Sequence, residues 1–227
     1  MEKIIRDVIE KNRNTKLLDT DTFDFRCTCC GACCTNREDI VMSGYDVMRI
    51  QNHLGIDFTE LLEKYCELYV GRPSGIPLLR IKPKGAKKIC PFLFRSKCRI
   101  HEVKPTVCAL FPVGRATAFD RESGKPEVMY FVQQTNCGAK DVSNNLQEWI
   151  RGCISEYDEK CGMLWNQMLR AVLAFISGIK GEISGDTYSC LVQIMYCGYE
   201  NAEDFAEEIT SRIDQIKELE KKMNGEH

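Results

Sequence analysis

The sequence predicts an α-rich α+β protein in which a loop-dominated cysteine module with a few short strands precedes a helical C-terminal portion. Three observations predict this class. Five of the eight residues from Cys27 to Cys34 are cysteine, short apolar runs of strand type follow, and helical periodicity dominates from about residue 142. We place a metal-binding module at 1–140 and a helical region at 141–227, and the two can pack as one domain.

The composition is that of a globular protein, with 227 residues, 44% hydrophobic residues, 28% charged residues and a net charge of −2. It excludes a disordered or fibrous chain. The N-terminal segment lacks the apolar core of a signal peptide, and no run approaches the roughly 20 apolar residues of a membrane span. We predict a cytoplasmic protein, in which clustered cysteines favour metal over disulfides. An exported disulfide protein is the alternative.

The elements of the front portion follow from caps and periodicity. Residues 1–20 are expected to form a short amphipathic helix and a linker. Ser43 can cap a helix that ends at Gly55, and a second helix is predicted from Thr59 to Val70. Short strands are predicted at 76–83, 113–119 and 127–133.

The rear portion is predicted to be helical because apolar residues recur there at helical spacing. The predicted helices span 143–150, 156–179, 185–200 and 204–222. The last helix carries an apolar seam, which either packs on the protein's own core or pairs with a partner helix. The seam consists of Phe205, Ile209, Ile213, Ile216 and Leu219.

The cysteine spacing is the strongest chemical signal in the chain. Cys27, Cys30 and Cys33 form C-x2-C-x2-C, the spacing of the first three ligands in bacterial-type ferredoxin loops, where the fourth cysteine precedes a proline. Cys90 precedes Pro91 and can serve as a remote fourth ligand. Four-cysteine zinc sites use the same ligands, so the spacing predicts a metal without naming it.

A second four-thiolate site is a further hypothesis. Adjacent side chains usually diverge, so Cys34 can serve a different site from Cys33. The remaining cysteines in loop contexts would complete that site, namely Cys98, Cys108 and Cys137. The opposite division, with Cys90 and Cys98 in one site, fits the spacing as well and stays open.

The other cysteines and the histidines have plainer interpretations. Cys29 lies off the two-residue rhythm, and Cys66 is predicted to be a core residue on a helix. His101, three residues after Cys98, is either a structural histidine or an alternative ligand. Four late cysteines are spaced along helix faces, which favours core positions over a further metal or redox role. They are Cys153, Cys161, Cys190 and Cys197.

A basic stretch runs from Arg80 to Lys104, with nine Lys or Arg residues against one acid, Glu102. It is a solvated face, or a source of cations that neutralise metal-bound thiolates, or an attraction for an anionic partner. Nucleic acid is disfavoured because only Phe92 and Phe94 are interleaved with the cations.

The combined motif resembles the CxxCxxCC cysteine-cluster family, whose members are described as zinc- or iron-chelating domains. The motif reads F-x-C-x-x-C-G-x-C-C, then C-P-F-L-x4-C-x-I-H-x-x-K-P-x-x-C-x-x-F-P, then a late Cys-Gly, and spans about residues 25–138. His101 and Lys104 stand where members often have Tyr and Arg. Flagellin lysine N-methylases carry a similar cysteine module. By position the resemblance implies eight metal ligands: Cys27, Cys30, Cys33, Cys34, Cys90, Cys98, Cys108 and Cys137.

The functional prediction is a metal-binding protein that carries an iron–sulfur cluster, of the [4Fe–4S] type, for electron transfer or as the cofactor part of an enzyme. The alternative is a structural Zn²⁺ protein that serves as a partner-binding module. A protein lysine methylase is a third option, which rests on resemblance alone. An enzyme would thus be an iron–sulfur oxidoreductase or a methyltransferase. The expected partner is a redox or other protein, without nucleic acid or membrane.

Overall fold

The computed structural model describes residues 16–119, 126–133 and 135–224. The helix and linker predicted for residues 1–20 lie outside the described residues, except for positions 16–20. The described α-helices are α1 (Gly44–Leu54), α2 (Phe58–Tyr65), α3 (Thr106–Ala109), α4 (Leu146–Cys153), α5 (Glu156–Gly178), α6 (Gly185–Tyr196) and α7 (Phe205–Asn224).

The strands are short and form small sheets, so the predicted mixed α+β class is confirmed. In chain order they are β1 (Lys16–Leu17), β2 (Thr22–Arg26), β3 (Val41–Met42), β4 (Cys66–Val70), β5 (Pro77–Ile81), β6 (Leu93–Phe94), β7 (Lys97–Cys98), β8 (Val113–Phe119), β9 (Pro126–Val132) and β10 (Ala139–Asn145). Their orders are β1-β9-β8, β10-β2, β3-β5-β4 and β6-β7, and all pairs are antiparallel. The predicted strands at 76–83, 113–119 and 127–133 correspond to β5, β8 and β9.

Helix α1 begins and ends where the sequence predicts. The Ser43 side chain accepts from the Asp46 amide, and the Asp46 carboxylate accepts from the Ser43 amide, which completes a capping box. Gly55 ends the helix in the left-handed conformation, with φ 65°.

The prediction of the second helix is wrong for its last five residues. Helix α2 ends at Tyr65, and Cys66–Val70 forms strand β4 paired along its length with β5. The apolar residues of this segment fit either period, and pairing with Pro77–Ile81 selects the strand. Cys66 is a core residue as predicted, with 2% exposure, but it lies on a strand rather than on a helix.

The sheet of β2 and β10 was not predicted, and it shortens the next helix. The segment 143–145 was expected to open a helix but belongs to β10, which pairs Asn145 with Thr22. Helix α4 begins only at Leu146, where Asn145 caps it by accepting from two backbone amides. Strand β2 alternates exposed and buried residues, with Phe23 and Phe25 inward.

Two hydrophobic cores organise the part of the chain that the structure describes. The larger, here called the first core, combines residues from Ile40 to Ile100 with residues from Cys161 to Ile216, so it crosses the predicted boundary at residue 140. The second core packs β2 and α4 around the segment that follows α3, with Phe23, Phe25, Leu110 and Leu146 among its members.

The long C-terminal helices complete the first core. Four residues of the predicted seam on α7 are buried as expected for packing on the protein's own core, and Leu219 in the later turns is 40% exposed. The buried ones are Phe205, Ile209, Ile213 and Ile216. Across the described ranges, no helix combines the length and apolar character needed to cross a membrane.

Candidate metal centre

The sheet of β2 and β10 brings the two ends of the cysteine module together. Arg26 at the end of β2 pairs with Ala139 at the start of β10, so the residues after Arg26 meet the residues before Ala139. The Sγ atoms of Cys30 and Cys137 lie 3.3 Å apart as a result, although 107 positions separate them.

Gly138 permits this close approach. Its φ of +79° lies in the left-handed region, and an added Cβ would stand 2.4 Å from the Phe25 ring and 2.8 Å from the Arg26 carbonyl oxygen. Any larger residue would therefore push Cys137 away from Cys30. This explains why Cys137 is followed by glycine.

A 3-10 turn at Ala32–Cys34 presents the two adjacent cysteines. Gly31 opens it with φ 71°, and the Cys34 amide donates to the Gly31 carbonyl at 3.0 Å. The Sγ atoms of Cys33 and Cys34 lie 3.9 Å apart. The expectation that these neighbouring side chains diverge is therefore wrong in this turn.

The hairpin of β6 and β7 holds Cys90 and Cys98 at its base. Leu93 pairs with Cys98, while Arg95 and Ser96 make the tight turn with φ of 48° and 62°. The Cys90 amide donates to the Cys34 carbonyl at 2.8 Å, which fixes the hairpin to the cysteine turn.

Cys108 lies on α3, which a buried carboxylate anchors. Asp46, at 4% exposure, accepts from the Thr106 amide at 3.0 Å and from the Thr106 hydroxyl at 3.2 Å. Arg49 donates to Asp46, to Asp158 at the start of α5 and to the Lys104 carbonyl. The turn that carries Cys108 is thereby tied to α1 and α5.

The predicted ligands thus fall into two groups with the 3-10 turn between them. We call Cys27, Cys30 and Cys137 the sheet set, because they lie at the end of the β2–β10 sheet. The hairpin set lies against the first core and consists of Cys90, Cys98 and Cys108. The contact between Cys30 and Cys137 disfavours the first division considered from the sequence and favours the one that joins Cys90 with Cys98.

Backbone amides two residues after a cysteine act on several of the sulfurs. The Cys29 amide donates to the Cys27 Sγ at 3.4 Å. The Ala32 amide is the main cause that lowers the pKa of Cys30. The Phe92 and Ile100 amides act in the same direction on the pKa values of Cys90 and Cys98. Such donors stabilise a thiolate, which is the form that binds metal.

Burial opposes this effect at the inner thiols. It raises the pKa values of Cys90, Cys98 and Cys108, and it raises the pKa of Cys137 to about 12. A hydrogen bond from Cys34 lowers the pKa of Cys33 to about 6. Metal binding at the inner thiols therefore has to release protons.

Two cations act directly on the thiols. Lys104 lowers the pKa values of Cys33 and Cys98, and Arg37 lowers those of Cys33 and Cys108. Within the basic stretch, Lys104 is therefore the cation best placed for such charge neutralisation, which stays a prediction. Arg37 was missed because it lies outside the stretch and reaches the site only through the fold.

The side chains of the remaining candidates are not members of either set. Cys29 is exposed in a left-handed conformation with φ 53°, and His101 is exposed at the start of a 3-10 turn. Among the four late cysteines, Cys161 is buried as predicted and Cys153 and Cys197 are half-buried. The core prediction is wrong for Cys190, which is exposed on α6.

The distances between paired sulfur atoms are close to those of a metal–thiolate site. In a tetrahedral site with Zn–S distances of about 2.3 Å, neighbouring sulfurs stand about 3.8 Å apart. The Cys33–Cys34 pair is at 3.9 Å and the Cys30–Cys137 pair is at 3.3 Å. Among the described residues, no three or more His, Cys, Asp or Glu side chains converge as they stand on a position for a metal ion. Binding therefore requires the pairs to draw together, and that ordering becomes part of the binding free energy.

A chain that brings Cys30 to Cys137 and ties the Cys34 turn to the Cys90 hairpin has the features of a cysteine-cluster metal-binding domain. Residues 26–138 match the family model CxxCxxCC, described as "Putative zinc- or iron-chelating domain", and over these residues the chain belongs to that family. This membership supports metal binding by the cluster.

A curated relative is similar over an alignment of comparable length. The chain is 30% identical over 115 residues to the uncharacterized protein MJ0661 of Methanocaldococcus jannaschii, an alignment that covers 49% of this chain and 58% of the relative. The match thus spans somewhat more than half of that protein's length. No solved structure matches the chain.

Proposed function

We propose that the cysteine cluster carries an iron–sulfur cluster and that the protein transfers electrons or supplies the cofactor part of an enzyme. The observation that carries the proposal is the gathering of remote thiols, above all the 3.3 Å contact between Cys30 and Cys137. The C-x2-C-x2-C spacing of Cys27, Cys30 and Cys33 supports iron in particular.

The surroundings of the sulfurs support a redox role. Backbone amides that face sulfur tune the reduction potential of a cluster, and the Cys29 amide already has this position relative to Cys27. The sheet set is partly open, since Cys27 and Cys30 are exposed. A partner could therefore approach this edge of the site closely.

The partner we propose is a protein with an acidic face. Lys82, Lys84, Lys87, Lys97 and Arg99 are exposed beside or within the hairpin segment, and the described residues supply no ion pair for them. Cations around a redox site steer an oppositely charged partner and raise its association rate.

The test is to purify the chain without oxygen and to measure iron, acid-labile sulfide and zinc per monomer together with the visible spectrum. Iron with matching sulfide and a coloured protein is the expected result. Stoichiometric zinc, with neither colour nor sulfide, would overturn the iron–sulfur proposal and leave metal binding intact.

A structural zinc site is the second candidate, and a distance favours it. The 3.9 Å between the Cys33 and Cys34 sulfurs is close to the edge of a tetrahedral zinc–thiolate site, estimated above at about 3.8 Å. An all-cysteine set also leaves no open position for catalysis. In that case the metal would hold the loops in place, and the exposed lysines and Arg99 beside the hairpin would bind the partner.

A methylase role rests on the resemblance of the cysteine module alone. It is tested by incubating the anaerobic protein with a methyl donor and a lysine-rich protein substrate. Methyl transfer that is lost in a Cys30→Ser variant would support that role, and transfer that persists in the variant would not involve the cluster.

A further inference from the structure

The two groups of thiols are built by different parts of the fold, and the adjacent cysteines lie at the junction between them. Cys137 reaches Cys30 through the β2–β10 sheet, while Cys90 and Cys98 are held by their own hairpin. Only the hairpin set packs on the first core.

The main-chain contacts divide the Cys33–Cys34 dipeptide between these groups. The Cys34 carbonyl accepts from the Cys90 amide, which directs the Cys34 end of the turn to the hairpin. Cys33 lies on the side of the C-x2-C-x2-C loop that contains Cys27 and Cys30. The Cys33 backbone amide also makes a hydrogen bond to the Cys137 thiol.

We propose that the chain has two separate metal centres joined by the Cys33–Cys34 dipeptide, each with four thiolate ligands. The sheet centre is formed by Cys27, Cys30, Cys33 and Cys137. The hairpin centre is formed by Cys34, Cys90, Cys98 and Cys108. This inference rests on the proposed metal-binding function and adds the number of centres and the assignment of every ligand.

The assignment explains a sequence feature that one centre does not. Two adjacent thiols are separated by one peptide unit, so two neighbouring centres can receive one sulfur each once the two side chains turn apart from their present separation of 3.9 Å. Two-cluster ferredoxins divide ligands in the same manner, since the fourth cysteine of each run binds the other cluster. In this chain Cys34 would have that crossing role.

The charges near the sulfurs fit the same division. Four thiolates around one divalent ion leave a formal charge near −2, so two neighbouring centres need nearby cations. Lys104 and Arg37 both act on Cys33, between the two sets, while Lys104 also acts on Cys98 and Arg37 on Cys108. Both cations thus act on Cys33 and on one member of the hairpin set.

Metal counting by native mass spectrometry tests the proposal, with Zn²⁺ alone as the probe. The reduced, metal-free full chain is loaded with excess Zn²⁺ and desalted before measurement. Two bound ions per chain are expected. One ion per chain would overturn the two-centre proposal while leaving the metal-binding function intact, and a chain that binds none would contradict the metal-binding function itself.

Matched variants then assign the ligands. Cys137→Ser should remove the ion of the sheet centre and Cys108→Ser the ion of the hairpin centre, so that each variant keeps half of the bound zinc and the double variant keeps none. Cys190→Ser, at an exposed thiol on α6, is the control and should keep both ions. Complete loss in each single variant would show one shared centre and overturn the proposal.

A measurement on the unaltered chain covers the case in which a variant fails to fold. The zinc-loaded protein is exposed to a slow chelator and to a thiol-alkylating reagent, and peptide fragmentation follows each cysteine over time. Thiols of one centre should become reactive together, with Cys33 following Cys137 and Cys34 following Cys108. A single common rate for all eight thiols, or Cys33 and Cys34 always reacting together, would overturn the assignment.

Discussion

The sheet set and the hairpin set consist of the same chemical groups, but they differ in how firmly the surrounding fold holds them. Cys90, Cys98 and Cys108 rest on the first core, and hydrogen bonds from Thr106 to the buried Asp46 anchor α3. Cys27 and Cys30 are exposed in a loop that depends on a two-stranded sheet. The difference indicates that packing pre-forms the hairpin side, while the metal itself must order much of the sheet side.

Metal removal should have the largest effect and should separate the two sides. Binding free energies of about 10–16 kcal/mol for structural zinc in peptides become folding free energy where the site is not pre-formed. After chelation, we expect amide hydrogen exchange to accelerate strongly at 27–34 and much less at 92–109. Equal acceleration of exchange in both segments would contradict the idea that packing pre-forms the hairpin side more than the sheet side.

Asp46→Ala should have the next largest effect, on the hairpin side. Among the described residues, Asp46 accepts five hydrogen bonds, from Ser43, Arg49 and Thr106. Its loss leaves the Ser43 and Thr106 donors without this acceptor and removes the ion pair with Arg49, which keeps Asp158 and the Lys104 carbonyl. We expect the free energy of unfolding to fall by about 3–5 kcal/mol, as for other broken buried ion pairs. Denaturant unfolding of the metal-free chain measures it.

The control for this substitution is Asp39→Ala. Asp39 is exposed and pairs with Arg37 near the surface, so the expected loss is below about 1 kcal/mol. If both variants lost similar free energy, Asp46 would not be the anchor of α3.

Gly138→Ala should weaken the sheet side selectively. The added Cβ meets Phe25 and the Arg26 carbonyl, and the left-handed φ adds strain. We expect a loss of about 2–4 kcal/mol in the free energy of unfolding, in the range of backbone strain combined with overpacking. Zinc binding should weaken at Cys137 and remain at Cys108.

Gly152→Ala is the matched control, because its added Cβ meets no described atom within 4 Å apart from its chain neighbours and the backbone of its own helix. Gly152 lies inside α4, where alanine is the better helix former, so this variant should gain about 0.5–1 kcal/mol. A loss at this position would point to a general intolerance of the second core rather than to the close approach at Gly138.

Ser96→Gly should have the smallest effect and the opposite sign. Ser96 holds φ 62° at the tip of the hairpin, and glycine adopts this conformation without steric cost. We expect a gain of about 1 kcal/mol, consistent with the cost of a left-handed residue. Thermal unfolding measures it, and an unchanged or lowered midpoint would mean that the turn is not a source of strain.

Local signals in the sequence identified much of the fold. Ser43 and Gly55 bound α1 correctly because caps act within a few residues. The segment Cys66–Val70 was misassigned because its partner strand lies beyond a turn that periodicity does not report. Strand β10 was missed for the same reason, since its partner β2 begins more than a hundred residues earlier.

The candidate ligands could be predicted from the sequence, but the residues that contact them in the fold could not. Spacing identified the thiols of the cysteine loop, whereas the contact between Cys30 and Cys137 depends on a long-range sheet. Arg37 and Asp46 carry no local mark of their roles near the cysteines. Cys190 has the spacing of a core residue, and only the packing of α6 shows that its side faces solvent.

The Arg49 guanidinium has a consequence for transplanting this module into another protein. It joins the carbonyl of Lys104, beside the predicted ligands, to Asp158 at the first turn of α5, twenty residues beyond the last position that the family model matches. A fragment that ends at residue 138 would retain all eight thiols. It would lose the residues from Cys161 to Ile216 that complete the first core, and Arg49 would lose its contact with Asp158. The smallest portable unit is therefore set by the helices and not by the ligands.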